Sequence, residues 1–245
     1  MKNQFEWEET VEMEDADFTG RMTPEALMRR VQRSTGRYAE ERGVGIGSLQ
    51  VGKWMIVHAL MKIGRMPRLY EKLRFVFSLG APVILFPCFL SVYDEKGEML
   101  VGVYSEWCVL NTAGTGLVRP ADLGFDPGEH YITPFLPPAS LDQRELPSPA
   151  AFVYEKTIRI GDIDMNRHTN NLRYMSMATD VIPAAEWEGL APTGLELRFL
   201  GQSYEGNKLR FFRQNGDGVM LLNALSEEGK EIFRAILVYE PRKEN

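Results

Sequence analysis

The chain says nearly the same thing twice. VEMEDADFTGRMT at 11–23 aligns without a gap with IRIGDIDMNRHTN at 158–170, so that Asp15 and Asp17 fall on Asp162 and Asp164, and Thr23 falls on Asn170. Thr23 and Asn170 are both residue types that cap helices, because a side-chain oxygen there accepts from a free N–H of the first turn. Between the copies lies PFLPPASLDQRELPSPA at 134–150, with five prolines in seventeen residues. Proline at that density excludes a helix or a central strand and reads as a connector. The repeat therefore predicts two strand–loop–helix entries, one in each of two similar units: 1–138, a linker at 139–150, and 151–245.

Each entry opens a helix. After Thr23, with Pro24 at a favourable first position, Leu27, Val31, Ser34, Thr35, Tyr38 and Ala39 keep a 3.6-residue period as far as Gly43. After Asn170, Tyr174, Met177, Ala178 and Val181 do the same until Pro183. Strand-like runs follow in each half: 54–66, 73–79, 83–93 and 98–110, then 195–204, 208–214, 219–225 and 232–239. Hairpin turns are expected at DEKG (94–97) and SEEG (226–229). One helix per half with an antiparallel meander is an α+β plan in which a sheet wraps a helix.

The second copy carries more chemistry than the first. Between Asp162 and Asn171 stand two carboxylates, three carboxamides and the imidazole of His168, at the mouth of a helix. Helix N-termini offer unpaired N–H groups and the positive end of the peptide dipoles, which stabilise an oxygen gaining negative charge. That suits acyl transfer: Asp164 as base toward water, with Asn166 and His168 holding substrate or water by hydrogen bonds. The competing reading is a well-capped turn of Asx motifs. The run DIDMN imitates the opening of a calcium loop, but Arg167 and Arg173 stand where that loop needs Gly and Glu. No GxSxG, HExxH, Walker A or GxGxxG occurs. The first copy has Thr19 and Arg21 where the second has Asn166 and His168, which predicts one site per chain.

A net charge of −6 argues against general nucleic-acid binding. Cys88 and Cys108 lie in apolar runs without metal-site or CxxC spacing and are expected as buried reduced thiols. The polar, acidic opening residues and the lack of a long apolar run predict a cytoplasmic protein with no membrane span.

The run D-x-N-x-H-x-N-N-x-x-Y at 164–174 resembles the acyl-ACP thioesterases of the double hot-dog kind, whose pattern is D-x-N-x-H-V-N-N-x-x-Y. Thr169 stands here where Val is usual. Arg42-Gly43, the run Lys53 to Ile56, the Arg65-x-Pro67 turn and Trp107 support the likeness in the same order along the chain. The resemblance implies a tandem hot-dog fold and hydrolysis of fatty acyl-ACP to free acid. It implies Asp164, Asn166 and His168 as the catalytic set, Asn170, Asn171, Gln202 and Trp54 as substrate-binding, and neither cofactor nor metal. It also implies that the first unit holds the acyl chain, along a lining that includes Met28, Val31, Tyr38, Trp54, Ile56 and Phe75. Where plant members carry Glu-Cys, this chain has Gln202-Ser203. A glutamine takes no proton, so either Asp164 takes the base role or activity is weaker. Glu205, three residues on, is set aside because strand alternation would turn it to the other face.

The implied partner is acyl carrier protein. Arg65, Arg68 and Lys72 are the expected landing site, in a stretch rich in basic residues, and the arginines of the first helix form a second basic stripe. A homodimer is compatible with the chain. The alternatives are an acyl-CoA thioesterase and an acyl-chain binder without catalysis, the latter favoured by Gln202.

Overall fold

In the computed structural model, residues 3–141 and 149–242 are described; most of the expected linker, 142–148, lies outside them. The chain divides into two compact units, Met1–Pro138 and Ala139–Asn245. No helix among the described residues is long and apolar enough to cross a membrane.

The first unit contains β1 (Gln4–Thr10), α1 (Pro24–Glu41), β2 (Gly52–Ile63), β3 (Lys72–Leu79), β4 (Phe86–Tyr93), β5 (Met99–Asn111) and the two-residue β6 (Leu117–Val118). Its antiparallel strands run in the order β1-β3-β4-β5-β2, with β6 on β5. The second unit contains β7 (Ala151–Thr157), α2 (Asn171–Thr179), α3 (Ala184–Glu188), β8 (Leu190–Phe199), β9 (Lys208–Gly216), β10 (Val219–Leu225) and β11 (Glu231–Pro241). Its order, β7-β9-β10-β11-β8, repeats the first strand for strand.

Helix α1 forms where the spacing puts it. The Thr23 hydroxyl accepts from the Ala26 N–H at 3.0 Å, and Pro24 opens the first turn. Leu27, Met28, Val31, Tyr38 and Ala39 are buried, and Tyr38 packs on Phe77 of β3. Gly43, at φ +74°, ends the helix in a conformation that costs little only without a Cβ. Helix α2 is shorter than its pattern: it ends at Thr179, and turns carry the chain to Pro183.

Strand β1 is the element the sequence conceals. Its glutamates make QFEWEET look like a polar leader, yet Phe5 stacks on Phe77 and Trp7 on Phe75, directly across the β1–β3 register. Strand β4 starts at Phe86 instead of Val83, and β8 runs Leu190–Phe199 instead of 195–204. The Leu200 and Gly201 N–H groups both bond the Ile232 carbonyl, and from there the chain leaves the sheet. Both hairpin turns stand where expected, with Gly97 and Gly229 each at φ +80°. Cys88 and Cys108 are buried free thiols, and burial pushes both upward, Cys88 to about 12.

Candidate active site

The polar cluster is a tight loop closed by its own backbone. Residues 160–162 make one 3-10 turn, and the Asp162 carboxylate accepts from the Arg159 N–H at 2.9 Å and lies 3.2 Å from the Lys156 Nζ. Asp162 thus points into the structure, not toward a shared cation with Asp164. The Asp164 N–H donates to the His168 carbonyl at 2.9 Å, the Arg167 N–H to the Asp164 carbonyl at 2.9 Å, and the Asn170 N–H to the Asp162 carbonyl at 2.8 Å. Asp164, Asn166 and His168 therefore share one rigid turn.

Asp164 is half-buried, and its Oδ1 accepts from the Asn166 N–H at 2.8 Å, an Asx turn. Among the described residues, Oδ2 accepts no hydrogen bond. His168 sets its ring edge-on to Tyr204, with centroids 5.1 Å apart. The Tyr204 hydroxyl donates to the Gln202 Oε1 at 3.1 Å.

Gln202 and Glu205 are not on a strand. They lie in the segment 200–207 that follows β8, so strand alternation does not decide where Glu205 points. Glu205 is exposed, in a turn with Gly206 at φ +87°. The segment is held against the loop by the Thr169 N–H, which donates to the Ser203 carbonyl at 2.8 Å.

The helix mouth is less open than its sequence suggests. The Asn170 side chain caps the Leu172 N–H at 2.9 Å, and its carbonyl accepts from the Arg173 and Tyr174 N–H groups. The Asn171 N–H is the first-turn donor left without a partner among the described residues. Trp54 belongs to the first unit, where its indole N–H donates to the Val44 carbonyl at 2.7 Å and its ring meets Phe86 edge-on. Met28, Val31, Tyr38, Ile56 and Phe75 are all core residues there.

The basic residues of the first unit are mostly answered. Arg65 makes a two-pronged pair with Glu71 at 2.9 and 2.5 Å; that hydrogen bonding raises the guanidinium and lowers the carboxyl. Arg68 is exposed, and Lys72 lines a groove with Glu8, Glu9, Asp94 and Glu95. On α1, Arg29 and Arg30 pair with Asp15, Arg33 with Glu9, and Arg37 with Glu41. The helix stripe is thus a set of ion pairs, not a bare cationic face.

Residues 148–240 match the family model of the acyl-ACP thioesterase C-terminal domain. None of the curated proteins compared matches the chain. Among solved structures, an acyl-ACP thioesterase from Bacteroides thetaiotaomicron is similar over 97% of this chain and 98% of its own, at 21% identity and a TM-score of 0.84. A 12:0-ACP thioesterase from Umbellularia californica is similar over 99% of each chain, at 18% identity and a TM-score of 0.81. A MaoC-like dehydratase covers 98% of each at 12% identity and a TM-score of 0.62. These likenesses establish the hot-dog fold, which hydrolases and dehydratases share. The likeness to a family rests on the second unit, whose residues 148–240 match the acyl-ACP thioesterase C-terminal domain.

Proposed function

We propose that the loop 162–171 is the hydrolytic site, acting on a fatty acyl chain carried as a thioester on acyl carrier protein. Asp164 takes a proton from water as the water oxygen adds to the thioester carbonyl carbon. The developing oxyanion is met by the Asn171 N–H and the Asn166 side-chain amide, while His168 orients the acyl thioester. Collapse breaks the C–S bond, and the proton held by Asp164 passes to the leaving thiolate, giving free acid and carrier thiol. Gln202 contributes amide hydrogen bonding in place of a second carboxylate. The apolar lining of the first unit, Trp54 included, is assigned to the acyl chain, and Arg68 and Lys72, with Arg65 behind its Glu71 pair, to the approach of the carrier.

One observation carries this reading. The same backbone loop is built twice, but only in the second unit does it present carboxylate, carboxamide and imidazole together, with an unengaged oxygen on Asp164. The test is a thiol-release assay over acyl-ACP and acyl-CoA of several chain lengths. Faster turnover of acyl-ACP is expected. Preference for acyl-CoA would move the carrier assignment, and binding without release would make the chain an acyl-chain binder.

A further inference from the structure

We propose that Thr169, Ser203 and Tyr174 form a buried hydroxyl lock that positions His168 and Gln202 for the reaction, an inference that rests on the hydrolytic reading of this loop. The Ser203 and Thr169 hydroxyl oxygens lie 2.6 Å apart, and the Tyr174 and Ser203 hydroxyl oxygens 2.8 Å apart. The Ser203 N–H donates to the Tyr174 Oη at 2.9 Å, and the Thr169 hydroxyl to the Ser203 carbonyl at 3.2 Å. The three residues are only 2–3% exposed. One assignment satisfies every donor: Tyr174 to Ser203, Ser203 to Thr169, and Thr169 to the Ser203 carbonyl. The closed set ties α2, the residue after His168 and the residue after Gln202 into one unit.

The first unit supplies the control. There the Met22 N–H donates to the Pro67 carbonyl at 2.8 Å, as the Thr169 N–H does to Ser203. Leu27 stands four residues after its cap, as Tyr174 does. Met22, Leu27 and Pro67 are all buried. The same backbone bond thus closes the first loop with buried apolar side chains at these three positions, so the fold does not require the hydroxyls. Burying three of them is costly unless all are satisfied, and what they add over apolar packing is direction. Ser203 is not a nucleophile in this arrangement, being enclosed and already donating to Thr169. Burial also raises the Tyr174 phenol, with the Ser203 contacts opposing, which keeps it a donor.

The test compares T169V, T169S, Y174F and S203A with the wild type. The measurements are kcat and KM on acyl-ACP across pH, thermal unfolding, and amide exchange at positions 169 and 203. In T169V and Y174F, kcat is expected to fall about tenfold, the loss of one oriented hydrogen bond, with KM within about twofold. T169S keeps the hydroxyl and is expected near wild type, and exchange at 169 and 203 quickens in T169V. Unchanged kcat in T169V and Y174F, or equal losses in T169S and T169V, would overturn the lock. Should S203A fail to fold, the Thr169 pair still decides. A wild type inactive on every thioester would instead overturn the hydrolytic reading, and unaltered exchange in T169V would then separately overturn the lock.

Discussion

The loops 11–23 and 158–170 share a hydrogen-bond skeleton and almost none of its use. In each, the N–H of the second aspartate donates to a carbonyl four residues on: Asp17 to Arg21 at 2.8 Å, and Asp164 to His168 at 2.9 Å. In each, the N-cap N–H donates to the first aspartate's carbonyl at 2.8 Å. The side chains diverge. The Asp17 Oδ1 accepts from the Thr19 N–H, the Thr19 hydroxyl and the Arg21 N–H, whereas among the described residues the Asp164 Oδ1 accepts from the Asn166 N–H alone. Asp15 is buried and gripped by Arg30 at 2.5 and 2.6 Å, while Asp162 meets a more exposed lysine. At the left-handed position the first loop has Gly20, φ +71°, and the second Arg167, φ +62°. One loop is finished as a structural clasp; the other leaves Asp164 Oδ2 without a hydrogen bond among the described residues and accepts backbone strain, a pattern typical of functional sites.

The largest expected difference is catalytic. D164N and H168A should each lower turnover on acyl-ACP by about two to four decades while unfolding near the wild-type temperature. D17N should leave turnover within about twofold and instead lower stability by about 1–2 kcal/mol. Equal rate losses in D17N and D164N would break the division between the two loops.

Next is the clasp itself. D15A takes the two-pronged partner from a buried guanidinium and leaves it only Glu9, which should cost about 1.5–3 kcal/mol in denaturant unfolding. Burial alone raises the Asp15 carboxyl, but the hydrogen bonds and charge of Arg30 outweigh it and hold it below its ordinary 3.8. A depressed carboxyl stabilises fully above that ordinary value, and the contribution is lost as pH falls through the folded one. Acid unfolding followed by circular dichroism should therefore begin at higher pH in D15A.

A smaller effect is expected for the carrier. R68E/K72E should slow the acyl-ACP reaction about three- to tenfold through association, imitated by high salt, and leave a small acyl-thiol substrate unaffected. The smallest effect sharpens the strain comparison: R167G should stabilise the chain by about 0.5–1 kcal/mol by thermal unfolding, and G20R should destabilise it by a similar amount.

Much of this was legible because helix capping and helical period are local. Thr23, Asn170 and Pro24 announce the helix starts, and Asp164, Asn166 and His168 sit within five residues of one another, so a linear motif could hold them. Strand β1 was hidden because alternation with glutamate resembles solvated chain until Phe75 and Phe77 are seen opposite. Residues 200–204 have a composition that fits the end of a strand, and only the paired bonds to the Ile232 carbonyl show the chain leaving the sheet. The arginines of α1 looked like a landing surface because their partners, Glu9 and Asp15, lie far back in sequence.

By itself the sequence determined that there would be two similar units, where each helix would start, and which loop would hold carboxylate, carboxamide and imidazole, since all three follow from short-range pattern and cap chemistry. The tertiary structure alone decided which charges remain available and which polar groups support the loop. Those depend on contacts between residues distant in sequence: Thr169 with Ser203, Tyr174 with Ser203, and Arg30 with Asp15 and Glu9. A hydroxyl or guanidinium carries the same letter whether solvated or enclosed, and only the packing around it fixes whether it binds, locks or merely balances charge.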